Sequence, residues 1–146
     1  VSLCLAGALL AVSLEVTSFN LVWTHSVEKI EWQEQWQVVQ GVQGRAHVDG
    51  PPLLLQLVEA RVQGSGAGME PPPNALREGP WWVWQPEQPA LPVLRLAVSG
   101  ATGRAWQLCT ALGCRDLEAW LSLNGQTPGS IEISAAPRCR PGLAAR

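Results

Sequence analysis

The chain has 146 residues, enough for one domain with a real core and too few for two of ordinary size. A formal net charge of −2 with only 15% charged residues supplies no basic surface for a phosphate backbone, which argues against nucleic acid as a partner. Eight Trp against one Phe and no Tyr, with 14 Gly and 12 Pro, favour short strands joined by turns, with indole rings in the core and at a pocket wall.

Taken in chain order, residues Val1 to Val16 are apolar enough to raise a signal peptide. They lack a basic leader, however, and run into Glu15 without a small-residue cleavage site, so a first β-hairpin turning at Ala6-Gly7-Ala8 fits better. No stretch reaches the ~18 apolar residues of a spanning helix, and no membrane span is expected. From Phe19 to Val38 the alternation is clear. Phe19, Leu21, Trp23 and His25 share one side, and Ile30, Trp32, Glu34, Trp36 and Val38 share one side after the break. Pairing Phe19 with Trp36, Leu21 with Glu34, Trp23 with Trp32 and His25 with Ile30 puts all of them on one face, with Glu28 and Lys29 at the hairpin tip. Glu34 is then a carboxylate among tryptophans and needs a partner, either Arg61 or an indole N–H.

Residues 40–52 read as an extended exposed turn containing His47, and Leu53 to Val62 as a strand ending in the glycine-rich run Gly64 to Gly68. Pro71-Pro72-Pro73 forbids a helix start and predicts an extended backbone as far as Leu76. Trp81 to Trp84 is a strand bracketed by Pro80 and Pro86. Leu91 to Ser99 and Ala105 to Cys109 read as further strands, Asp116 to Leu121 as a helix of one or two turns, and Ser130 to Ser134 as the last strand. The expectation is a single β domain over 1–146, with its core in 2–134 and a frayed tail over 135–146. The class is mostly β: an antiparallel β-sandwich or barrel with at most one short helix.

Four cysteines permit two disulfides without requiring them. Cys109 and Cys114 flank a connection short enough to close a hairpin and place the thiols opposite each other; Cys4 and Cys139 are the remaining pair. A zinc site competes, but there is no CxxC pair, and His25 and His47 lack ligand-like spacing to any cysteine. No metal and no cofactor is expected.

Two stretches carry the functional reading. Thr24-His25-Ser26-Val27-Glu28-Lys29 holds one of two histidines and the only lysine, and Gly64-Ser65-Gly66-Ala67-Gly68-Met69-Glu70 runs into the three prolines. His25, Ser26 and Lys29 can donate to an anionic or polar group, with Glu28 beside them. The backbone amides around Gly64, Ser65, Gly66 and Gly68 can form an anion-binding nest, with Met69 and Glu70 at its exit. The plainer readings are a hydrogen-bonded histidine at a sheet edge, a conformationally demanding turn, and a surface Lys29–Glu70 pairing worth little. Ser26 and His25 point to opposite faces of a strand, so they do not form a catalytic dyad, and no GxSxG, HExxH or Walker loop is present.

These two motifs, the Trp81-Trp82-Val83-Trp84 strand and the segment from Leu108-Cys109 to Cys114 resemble the bacterial family called domain of unknown function 1850, over about Leu3 to Ile133. The longer 40–52 turn departs from the family pattern, and the chain as given shows no leading membrane anchor of the sort some members carry. The resemblance implies a protein without an established activity, similar to accessory proteins encoded beside TAXI-type tripartite ATP-independent periplasmic (TRAP) transporters, which move small organic solutes. The partners it implies are such a transporter or its solute-binding protein, and a small organic anion, in the periplasm or at a membrane face. The alternatives are a structural module docking on a membrane transporter, and an enzyme using His25.

Overall fold

Strand alternation decides which side of the chain is buried, and here it builds two sheets whose apolar faces meet. The computed structural model describes residues 1–24, 30–42, 50–64, 71–98 and 106–140. Its strands are β1 (Ser2–Ala6), β2 (Ala11–Leu14), β3 (Ser18–Thr24), β4 (Glu31–Gln40), β5 (Leu53–Gln63), β6 (Leu76–Glu78), β7 (Trp81–Trp84), β8 (Val93–Ala97), β9 (Gln107–Thr110), β10 (Gly113–Asp116) and β11 (Ser130–Ala136), with one short helix, α1 (Leu117–Leu121). A four-stranded sheet has the order β2-β1-β11-β8, and a seven-stranded sheet the order β10-β9-β3-β4-β5-β7-β6. All strand pairs are antiparallel. Of the two architectures expected, sandwich or barrel, the antiparallel β-sandwich is the fold.

Leu3 and Leu5 of β1 and Ile131 and Ile133 of β11 form one wall of the core, and Phe19, Leu21, Trp36, Leu55 and Leu108 form the other, none more than 2% exposed. At five residues α1 is too short to persist on its own. It forms because Leu117 and Leu121, one turn apart, both bury completely, at about 1.5–3 kcal/mol each. The Leu117 N–H donates to the Trp106 carbonyl, which ties the helix start to the larger sheet. The sheets join at one corner, where Leu91 exchanges both backbone hydrogen bonds with Leu55 of β5 at 2.8 Å. Pro92 has no N–H to continue that ladder, and from Val93 the chain pairs with β11 instead. The expected strand from Leu91 to Ser99 is thus divided between the two sheets.

The hairpin between β3 and β4 has the register read from the sequence: Phe19 faces Trp36, Leu21 faces Glu34 and Trp23 faces Trp32. The first hairpin closes with Ala6 opposite Ala11, and Gly7 sits where a Cβ would come within 3.1 Å of Pro128. After the prolines the structure departs from expectation. Instead of running extended to Leu76, the chain turns at Pro73-Asn74, with the Ala75 N–H donating to Pro72, because proline suits the second position of a β-turn. The turn starts β6, which reverses at Gly79 (φ +59°) into β7. The segment after Ser134, expected to fray, continues as strand to Ala136, opposite Ser2, and Cys139 is bonded to Cys4.

Both cysteine pairs are disulfides, Cys4–Cys139 and Cys109–Cys114. The second joins directly opposed residues of β9 and β10 across a two-residue turn, Ala111-Leu112, followed by Gly113 at φ +121°. Their sequence separations are 135 and 5 residues, and loop-closure entropy of the unfolded chain puts them at about 5 and about 2 kcal/mol respectively. The double variant C4S/C139S is therefore expected to lose roughly twice as much unfolding free energy in urea denaturation as C109S/C114S. Equal losses would show that the long loop is already restrained in the unfolded chain.

Candidate functional site

Register places the roots of the two motifs on neighbouring strands. Thr24 of β3 is opposite Glu31 of β4, and one step further along β4 Trp32 is opposite Val62 of β5. The chain therefore leaves β3 at 25–29 and leaves β5 at 65–70 from the same end of the larger sheet. The connection 99–105 enters the sheet at that end too, through Trp106, whose ring lies 5.7 Å from Trp23. Among the residues singled out in the sequence, His25, Ser26, Glu28, Lys29, Ser65, Gly66, Gly68, Met69 and Glu70 lie outside the described residues, as does His47. Gly64 is described. It takes φ +75°, a left-handed conformation that favours glycine, and its N–H donates to the Pro80 carbonyl at 2.8 Å. That amide closes the base of the 64–80 excursion and is not a free donor for a nest.

At this end of the larger sheet the core-side face is aromatic. Trp23 and Trp32 lie 6.1 Å apart, and Trp84 meets Trp32 edge-on at 5.4 Å. Trp82 follows in the same cross-strand row, opposite Val62. These rings are half-buried, whereas Trp36, deeper along β4, is 2% exposed. Glu34 stands between the two tryptophans of its own strand. Its Oε1 accepts the Trp32 indole N–H at 3.1 Å and its Oε2 accepts that of Trp36 at 3.0 Å. Strand periodicity makes this arrangement, because residues 32, 34 and 36 share one face and the carboxylate offers one oxygen to each side.

Of the two partners anticipated for Glu34, the indoles are the ones it takes; Arg61 lies on the opposite face and pairs with Glu59 at 3.0 Å. Two other indoles have a cation against the ring: Arg77 over Trp82 at 5.2 Å and Arg115 over Trp120 at 4.7 Å. Their Nε1 atoms are buried without a hydrogen-bond acceptor among the described residues. At this end of the sheet the described residues offer the flat apolar rings of Trp23, Trp32 and Trp84, and Thr24 and Gly64, from which the two motifs depart, stand beside them. The four cysteine sulfurs are held in disulfides, which removes them as thiolate ligands, and the described residues contain no group of three His, Cys, Asp or Glu able to hold a metal ion.

Fold and site together define a small disulfide-bonded antiparallel β-sandwich whose larger sheet carries its distinctive loops at one end. The family model described as Domain of unknown function (DUF1850) matches residues 19–117, more than half of the chain, and the chain belongs to that family. The match is narrower than the span from Leu3 to Ile133 suggested by the motifs. It takes in the whole larger sheet and β8, and leaves β1, β2 and β11 outside. Neither a curated protein nor a solved structure matches the chain significantly. Among the described residues no helix is long and apolar enough to cross a membrane.

If Glu34 satisfies both indoles, its variants should be graded. Glu34→Gln keeps one acceptor oxygen and is expected to lose about 1–2 kcal/mol, whereas Glu34→Ala strands both N–H groups and is expected to lose roughly 2–4 kcal/mol. Chemical denaturation followed by Trp fluorescence checks the order; equal stability of Glu34→Ala and the parent would refute the role.

Proposed function

We propose that this protein is a non-catalytic recognition module of an oxidising compartment outside the cytoplasm, serving a TAXI-type TRAP transporter. In this reading, residues His25, Ser26, Glu28 and Lys29 and the loop 64–70 take up a small organic anion, or a surface of the transporter's solute-binding protein, above the tryptophan floor. The observation that carries it is the register: Thr24 at the end of β3 and Gly64 after β5, from which the two motifs depart, lie at one end of the larger sheet with β4 between them, near Trp23 and Trp32. The family match encloses both motifs and every strand of the sheet that supports them. Two disulfides using all four cysteines support the compartment, since such bonds persist where the surroundings are oxidising. The division of labour is simple: Lys29 and the His25 and Ser26 donors meet the anion, and the indole rings take the apolar remainder of the solute.

The test uses the full chain with the solute carried by the transporter of the same cell, and with that transporter's solute-binding protein. A ligand at a hundred times its Kd adds about 2.7 kcal/mol and should raise Tm by roughly 5–10 °C. His25→Ala and Lys29→Ala should keep the parent's Tm and circular dichroism and lose that rise. A protein whose Tm answers to neither the solute nor the binding protein sinks the reading, and variants that fail to fold assign the motif to structure instead.

A further inference from the structure

The face of the larger sheet that points away from the core carries a second candidate site, made of residues outside both motifs. Two neighbouring cross-strand rows define it. Cys109, Asn20, Gln35 and Glu59 are successive partners across β9, β3, β4 and β5, and Val22, Gln33, Arg61 and Val83 are successive partners across β3, β4, β5 and β7. Three adjoining depressions follow these rows. The first, about 170 Å³, is bounded by Asn20, Gln35, Cys109 and Thr110. The second, about 230 Å³, shares Asn20 and Gln35 and adds Gln33, Glu59 and Arg61. The third, about 360 Å³, shares Glu59 and reaches Leu76 and Val83.

The shared residues make one groove crossing five strands, about 19 Å at the ~4.8 Å spacing of neighbouring strands. Between Gln35 and Trp36 the register of β4 against β5 shifts, because Val58 is an extra residue on β5. A bulge of this kind bends its strand, and it does so beside Glu59, in the middle of the groove.

The solvent face of an antiparallel sheet is ordinarily polar, so polarity alone assigns nothing. What differs here is the kind of polarity. The side chains of Asn20, Gln33 and Gln35 are neutral amides, each with an N–H donor pair and a carbonyl acceptor, and none makes a hydrogen bond to another described residue. Arg61 Nη2 donates to Glu59 Oε2 at 3.0 Å, with side-chain exposures of 29% and 31%, and Glu78 adds a further carboxylate at the far end of the groove. Arg61 also lies over the Trp81 ring, 5.8 Å from its centre, which holds the guanidinium from its other side. An anionic ligand would meet Glu59 and find the Arg61 cation already paired. An apolar ligand would bury the amides without partners, which is costly.

We propose that this groove binds a neutral, extended polyhydroxylated chain, that is, a short glycan. Adjacent hydroxyls of a sugar ring present a donor beside an acceptor, the pattern that a carboxamide matches with its own oxygen and nitrogen. Asn20, Gln33 and Gln35 supply three such groups from two neighbouring strands. The Arg61–Glu59 pair fixes the floor between them. This site lies on the opposite side of the sheet from the tryptophan floor and stands independently of the reading given for the two loops.

The experiment is an NMR titration of the full chain with three neutral probes, chitohexaose, cellohexaose and maltohexaose, and with a sulfated oligosaccharide as the anionic counterpart. At least one neutral probe should give saturable shifts at the side-chain amides of Asn20, Gln33 and Gln35, with a Kd on the order of 0.1–1 mM. The double variant Q33A/Q35A should weaken binding by about tenfold or more while Tm stays within about a degree of the parent, since these side chains hold no other part of the fold. Lys29→Ala should leave glycan binding unchanged. The proposal is overturned if no neutral probe gives saturable shifts at millimolar concentration, if Q33A/Q35A binds as the parent does, or if the sulfated probe binds more tightly than all three neutral ones.

Discussion

A domain that draws its aromatic side chains almost entirely from tryptophan must set many indole N–H groups among apolar neighbours, and Glu34 is where this fold supplies acceptors for two of them. One carboxylate at the middle of β4 accepts from Trp32 on one side and Trp36 on the other. β4 pairs along its length with β3 and β5, so the arrangement fixes which face of the central strands is turned inward. From that choice follow the burial of Phe19, Leu21 and Leu108 against the smaller sheet and the projection of Asn20, Gln33 and Gln35 to the other side. A charged group in an apolar row is ordinarily a liability. Here it is what allows two large rings to lie in the same row.

The hairpin from Phe19 to Trp36 was legible because both strands keep a strict period of two and their apolar residues coincide in only one register. The short strands were less so. β6 and β10 have three and four residues, too few to show a period, and exist because longer neighbours offer them a ladder. Leu91 illustrates another limit: its neighbours read as one strand, yet it pairs across the corner with Leu55, and only three-dimensional closure distinguishes the two. The bond between Cys4 and Cys139 is non-local in the same way, whereas Cys109 and Cys114 could be read from a turn of hairpin length.

For the candidate site the sequence identified residue types and the structure contributes position. Thr24 and Gly64 carry no signal of proximity in the chain, and the registers of β3, β4 and β5 bring the roots of their loops to one end of the sheet. Gly64 shows how a motif glycine can serve the fold: it takes a positive φ and its N–H bonds the Pro80 carbonyl where β5 ends. The outer groove was hidden for the opposite reason. Gln33 and Gln35 fill the polar half of a strand alternation, where a solvated face predicts just such residues, and they become distinctive only once Asn20, Glu59 and Arg61 are set beside them.

The edges of the two sheets bear on how such a protein meets a partner. An exposed strand edge recruits other strands, and proteins suppress this by keeping edges short or interrupted. β6 is three residues long and is preceded by a proline turn, β10 is tied to β9 by a disulfide and carries Arg115 and Asp116, β2 has four residues and leads into Glu15, and β8 has five, follows Pro92 and carries Arg95. Each offers too short a ladder for an added strand to bury much backbone. The matched region holds the larger sheet and β8, and the strands outside it, β1, β2 and β11, supply Leu3, Leu5, Ile131 and Ile133 as apolar backing. Among the described residues the sheet edges are thus short, and the broader surfaces are made of side chains, at the end where Thr24 and Gly64 stand and across the outer face.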